Sequence, residues 1–351
     1  MAIAIPVIMM IMFGYALTLD VDNVPIIIWD QDHSLVSREF ILNFNNSRYF
    51  KILGYCDNYS RIEKQINKNK ALMALIIPKD FSHLLGAGQT APVQLIIDGS
   101  DSNTASIALS YAEGIIGSYN KAFVNEAFSR QGARYNEPVE LRPRIWFNET
   151  LLSRNFIIPG LIAVVMMIVS ALLTSLTVAR EWERGTMEQL ISTPVKSGEL
   201  ILGKFIPYFM IGVVDIIIVV IMGQFVFHVP FRGNIAELMV FSAIFLTGVS
   251  FLGIFISVVT KNQFMASQIS FITTFLPAFL LSGFAFPIIN MPKPIELITY
   301  IIPARYFVTI LKGIYLKGVG FHVLWPQALF LLVFSLVTMA LAKAKFKKRV
   351  A

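Results

Sequence analysis

Cysteine is almost missing from these 351 residues: Cys56 stands alone. No disulfide can form within the chain, and a buried, inert thiol is the expected state of that residue. Histidine is scarce as well, with His33, His83, His228 and His322 too scattered for the spacing of a metal site. Charge is short: 15% of residues are charged, where a soluble domain carries about 25%. No G-x-x-x-x-G-K-[ST] run occurs, so the chain lacks the usual cradle for nucleotide phosphates. Ser34 and Ser37 lack the surroundings of a nucleophile elbow. Asp30-Gln31-Asp32 opens like a calcium loop but has neither its glycine nor its closing glutamate. A turn followed by Ser34 as a helix cap accounts for that acidic pair better. We therefore expect no catalytic, cofactor-binding or metal-binding residues.

What the chain has in excess is apolar length. Hydrophobic residues make up 56% of it and the mean hydropathy is +0.66. Six uncharged or nearly uncharged stretches are long enough for a bilayer core of about 30 Å: residues 2–19, 156–179, 205–227, 238–260, 264–286 and 323–342. The third holds one acid, Asp215. Residues 287–322 are less apolar and broken by Pro292, Pro294 and Pro303, and read as short helices at or dipping into the membrane surface. The first stretch has no basic start and no clear cleavage site, so it reads as a permanent span rather than a signal peptide.

Basic residues set the orientation. The tail, residues 343–351, carries Lys343, Lys345, Lys347, Lys348 and Arg349 with no acid, which places it in the cytoplasm. Counting back puts loop 180–204 inside and block 20–154 outside. That block holds 14 Lys and Arg against 15 Asp and Glu, leaving 15 against 7 for the rest. The formal charge of +7 is thus a topology signal and not a nucleic-acid footprint.

Block 20–154 reads as a folded α/β domain. Residues 24–29, 51–55, 71–77, 93–98 and 139–146 have strand character, and 35–44, 59–69 and 104–131 have helical character. In the last helix Ile107, Tyr111, Ile115, Tyr119, Phe123 and Phe128 fall on or near one face. The predicted fold is a polytopic α-helical membrane protein of about six spans: a first transmembrane helix (1–19), an extracytoplasmic α/β domain (20–154) and a five-helix transmembrane domain (155–351).

The inner loop is the most informative segment. The second span continues as a polar helix to Arg184, and Gly185 stops it, since glycine tolerates a left-handed helix end. Thr186 and Gln189 have capping-box spacing. Met187, Leu190 and Ile191 give the new helix an apolar edge while Glu188 and Gln189 stay wet. Pro194 ends it, and Ser197 is placed to cap the next helix. The residues alone fit either a knob that docks into a partner or a capped connector on the lipid surface. Asp215, near mid-span, costs at least a few kcal/mol if ionised and is expected to face the interior of a dimer. It reads either as a contact for a cationic substrate or as a neutral acid hydrogen-bonded to a neighbouring helix.

The run R-E-x-E-x-G-T-M-E-Q-L-x-x-x-P at residues 180–194, followed by G-E-L-I-L-G-K-x-x-P-Y at 198–208, resembles the signature of type-2 ABC transporter permeases, and more narrowly the bacterial drug exporter branch. F-G-Y-A-L at 13–17, N-V-P-x-x-x-x-D-Q-D at 23–32, S-G-F-x-F-P at 282–287 and P-A-R-Y-F at 303–307 agree with it. The resemblance implies an inner-membrane permease for amphiphilic or hydrophobic compounds, paired with a second permease copy or paralogue. It implies two ATPase subunits, which bind the ATP and magnesium, and leaves room for a periplasmic adaptor. It makes 185–194 the coupling helix, with Glu181, Glu183, Gly185, Thr186, Met187, Glu188, Gln189, Leu190 and Pro194 as its residues. Such permeases carry a basic amphipathic segment ahead of the first span, which this sequence lacks. The competing class is a membrane-anchored binding or scaffold protein whose outer domain is the working part. An intramembrane enzyme would need more polar residues at membrane depth than a lone Asp215.

Overall fold

A computed structural model describes residues 2–17, 21–130, 147–148 and 152–346. The chain divides into two compact units, Asp20–Pro143 and the rest.

In Asp20–Pro143 four strands form one sheet in the order β2-β1-β3-β4. β1 (Val24–Asp30) lies between β2 (Phe50–Tyr55) and β3 (Met73–Ile77), parallel to both, and β4 (Gln94–Ile97) runs antiparallel to β3. All five residues of β3 are buried, as expected of a strand covered on both faces, so it reads as a continuous apolar run. Two helices lie in the connections between the parallel strands, a third lies between β3 and β4, and a fourth follows β4. α2 spans Leu35–Asn45, α3 Tyr59–Asn67, α4 Phe81–Gly86 and α5 Ser102–Arg130. Ser34 caps α2, its Oγ accepting from Ser37 N at 3.0 Å. Asp30 is occupied by the turn: its carboxylate accepts from the amides of Asp32 and His33, each at 3.1 Å, and from Ser37 Oγ at 2.8 Å. On α5, Tyr119 meets Phe40 edge-on at 5.0 Å and Tyr111 stacks on Tyr49 at 4.1 Å. Cys56 is only half-buried, against the expectation of a buried thiol, because it follows the last residue of edge strand β2. Burial still pushes its thiol up. The helix α4 was not anticipated. The strand expected at 139–146 and the side chain of Phe128 fall outside the described residues.

In the other unit, α6 (Ser153–Glu183) is the central post, with α8 (Ser197–Phe225), α9 (Ile235–Thr260), α10 (Gln263–Leu281) and α1 (Ala4–Ala16) packed on it. α13 (Phe321–Lys345) packs on α9. These five longer helices are apolar enough to cross a membrane. In the most apolar stretch of α6, 83% of residues are buried, against 28% in α8 and α13. α8 instead exposes Ile206, Met210, Val214, Ile217 and Ile221 along one face, a patch of a kind that soluble monomers avoid and lipid covers. The described part of α1 is 13 residues. At 1.5 Å per residue that is about 20 Å, shorter than the span expected at 2–19, of which residues 18 and 19 are not described. Among the described residues, α11 (Lys293–Thr299) and α12 (Pro303–Lys312, continued by a π-helical turn to Lys317) are together long and apolar enough for a broken span, bent by 82°. Pro303 at the start of α12 allows that break.

Hydroxyls tie the helices together. On α13, Ser335 donates to Ile244 O of α9 at 2.8 Å and Thr338 to Gly248 O at 3.1 Å.

Candidate coupling site

The loop from α6 to α8 is an elbow with three braces. α6 ends as read from the sequence: Arg184 N donates to Arg180 O at 3.1 Å and Gly185 N to Trp182 O at 3.2 Å, and Gly185 turns left-handed at φ 72°. Helix α7 (Thr186–Ser192) follows at once. The expected capping box is not made. Thr186 is the first helical residue, too far into the turn to cap it, and its hydroxyl donates back to the Glu181 carboxylate. Ser197 is likewise the first residue of α8 and not its cap; the Glu199 carboxylate accepts from Lys196 N at 2.9 Å instead.

Glu181 forms the first brace. Its other oxygen lies 2.5 Å from Lys204 Nζ on α8, both side chains about a quarter exposed. Glu183 forms the second, accepting from Gln263 N at 2.7 Å and Gln263 Nε2 at 2.5 Å at the start of α10. In the third, Lys261 Nζ sits 4.3 Å over the Trp182 ring. The loop is thus fixed to α8 and to the α9–α10 turn.

The apolar edge of α7 points into the protein. Met187 is 1% exposed and packs in a cluster with Val178, Leu200, Ile201, Phe251 and Ile254, with Leu190 against it. Burying a methionine is worth roughly 1.5–3 kcal/mol, enough to set which way so short a helix faces. Met187 is therefore no contact for a partner, and Leu190 is only partly exposed. The side chain of Ile191 falls outside the described residues. Arg184, Gly185, Glu188, Gln189, Ser192 and Pro194 form the exposed rim. Beside it lies a cleft of about 580 Å³ lined by Glu181, Thr186, Gln189, Leu190, Thr193 and Lys204 among others.

Gln263 and Lys261 were missed as members of this site. The short polar break between two apolar stretches was visible, but nothing in the sequence says which loop it meets.

Asp215 lies elsewhere. It is 1% exposed within the single chain, and neither carboxylate oxygen has a hydrogen-bond partner among the described residues. The expected hydrogen bond to a neighbouring helix is therefore not seen among those residues. Among the described residues no group of three or more His, Cys, Asp or Glu could hold a metal ion.

The site is thus a braced elbow between two long apolar helices. The family model for ABC-2 family transporter proteins matches residues 1–343. The chain belongs to the ABC-2 transporter family. Among its relatives, the probable multidrug ABC transporter permease YbhS of Escherichia coli K12 is 37% identical over 349 residues, covering 99% of this chain and 91% of that protein. The probable multidrug ABC transporter permease YbhR of the same organism is 34% identical over 346 residues, covering 98% and 91%. The inner membrane transport permease YhhJ is 26% identical over 336 residues, covering 93% and 86%. This ABC-2 protein is a membrane-spanning permease subunit, a transport component and not an enzyme.

Proposed function

We propose that this permease exports amphiphilic or hydrophobic compounds across a bacterial inner membrane, driven by separate ATPase subunits that engage residues 185–194. The basic tail is cytoplasmic, which places the α6–α8 elbow inside and residues 20–154 outside. Two permeases, as a homodimer or a pair of paralogues, work with two ATPases that bind ATP and magnesium, and a periplasmic adaptor is compatible with the outer domain. ATPase closure pushes on the rim of α7, and the braces at Glu181 and Glu183 pass that push to α8 and α10. The names of the two multidrug relatives support the substrate class.

The observation that carries this reading is the orientation of α7. Met187 is used up inside the chain, yet a charged and amide-bearing rim stays exposed on a braced turn. A mere lipid-surface connector would turn Met187 outward to lipid.

The test is Glu188→Lys with Gln189→Ala, which alters the rim and spares Met187, Leu190 and the braces. We expect normal membrane levels, loss of ATPase co-purification, and efflux of a lipophilic dye reduced to that of a deletion strain. Retained co-purification with wild-type efflux would remove 185–194 as the coupling surface. It would also favour the anchored binding-protein alternative.

A further inference from the structure

Where α6 leaves the bundle to become the elbow, its backbone bonds to another helix. Val178 N and Ala179 N both donate to the hydroxyl of Ser257 on α9, at 3.0 and 2.8 Å. All three residues are buried: Val178 is 1% exposed, and Ala179 and Ser257 are 0%. An amide inside a helix normally spends its proton on the carbonyl four residues back. Here two consecutive amides of α6 also reach one hydroxyl of another helix. A side chain inserted into the ladder is one of the few causes of a bend in a helix.

The neighbourhood permits the insertion. One turn before Ser257, Gly253 brings the α9 backbone so close to α6 that an added Cβ would lie 2.1 Å from Thr174 Oγ1 and 2.5 Å from Ala171 O. Thr174 and Thr177 turn their hydroxyls onto α6 carbonyls, Thr174 to Ser170 O at 2.7 Å and Thr177 to Thr174 O at 2.7 Å. Such bonds from threonine to the preceding turn also bend helices. Only Arg180 separates Ala179 from Glu181, the first brace of the elbow.

We propose that Ser257 is a positioning residue for coupling: its hydroxyl sets the angle at which the elbow leaves the α6 span, and so where α7 is presented. This rests on the reading of residues 185–194 as the coupling segment. Ser257 touches neither substrate nor partner; it acts through the α6 backbone.

The experiment separates position from coupling. Nitroxide labels at Ser192 and Val240, in a Cys56→Ser background and spin-diluted in nanodiscs, report the elbow against the far end of α9. Ser257→Ala removes a single oxygen and little packing volume, so the chain should fold. Ser257→Thr restores the hydroxyl. We expect Ser257→Ala to shift or broaden the distance distribution. In the assembled transporter it should lower transport per ATP hydrolysed by about threefold for each bond lost, with Ser257→Thr recovering both. A wild-type distribution in Ser257→Ala overturns the proposal, whatever happens to transport. A shifted distribution with wild-type transport per ATP upholds Ser257 as the joint and instead refutes the coupling role of 185–194.

Discussion

Gly253 and Gly203 are the same residue in two different situations, and the difference can be measured. A Cβ at Gly253 meets Thr174 and the Ala171 carbonyl, while one at Gly203 on α8 meets nothing within 4 Å. Gly253→Ala should destabilise by about 1–3 kcal/mol, the range for overpacking. Gly203→Ala should be neutral or gain up to ~1 kcal/mol from helix propensity. Thermal unfolding in detergent would read both; equal melting temperatures for the two variants would contradict the close α6–α9 seam. The sequence offers no way to tell these glycines apart, since each sits in an apolar helix. Legibility at this scale followed local causes. Gly185 and Ser34 were readable because a left-handed helix end and a cap are decided within four residues. Thr186 and Ser197 were misplaced by one residue, since Gly185 and Lys196 take the cap positions ahead of them.

The elements themselves were largely visible in the pattern. β1 and β3 are continuous apolar runs because helices cover both faces, and the long apolar stretches end at caps or glycines. The six-residue α4 was missed, being too short to show a helical period. α1 came out shorter than its apolar run, and the proline-broken stretch 287–322 was seen as short helices without their 82° bend. The side to which each element belongs is a separate matter, set by basic residues and tested by labelling. In a Cys56→Ser background, Ser129→Cys on α5 should react with an impermeant thiol reagent in intact cells, and Ser192→Cys at the end of α7 should react only after permeabilisation. Labelling of Ser192→Cys in intact cells would reverse the orientation drawn from the tail.

For the molecule as a whole, composition decided the class before any motif did. The proposed function assigns ATP hydrolysis to a separate protein. The purified permease should therefore hydrolyse no ATP, measured as phosphate release from a preparation verified free of ATPase. Turnover by the chain alone would end the division of labour proposed here. The candidate site was legible in part: the pattern separated the apolar Met187 from the wet Glu188, but only packing reveals that Met187 turns into this chain.

The burial of α6 also bears on how such a chain is made. α6 is apolar enough to leave the translocation machinery for lipid as soon as it is synthesised, yet in the finished bundle it keeps almost no lipid-facing surface. Every helix that covers it, apart from α1, is made later. Assembly therefore has two stages, insertion first and then the stripping of lipid from α6 as α8, α9 and α10 arrive. Lipid is as greasy as the helices that replace it, so apolar burial contributes little to the second stage. Close packing at Gly253 and the bonds of Ser257 to the α6 backbone are what favour helix over lipid there. Variants in that seam should insert normally and then linger half-assembled, a fate that cellular quality control sees and a hydropathy plot does not.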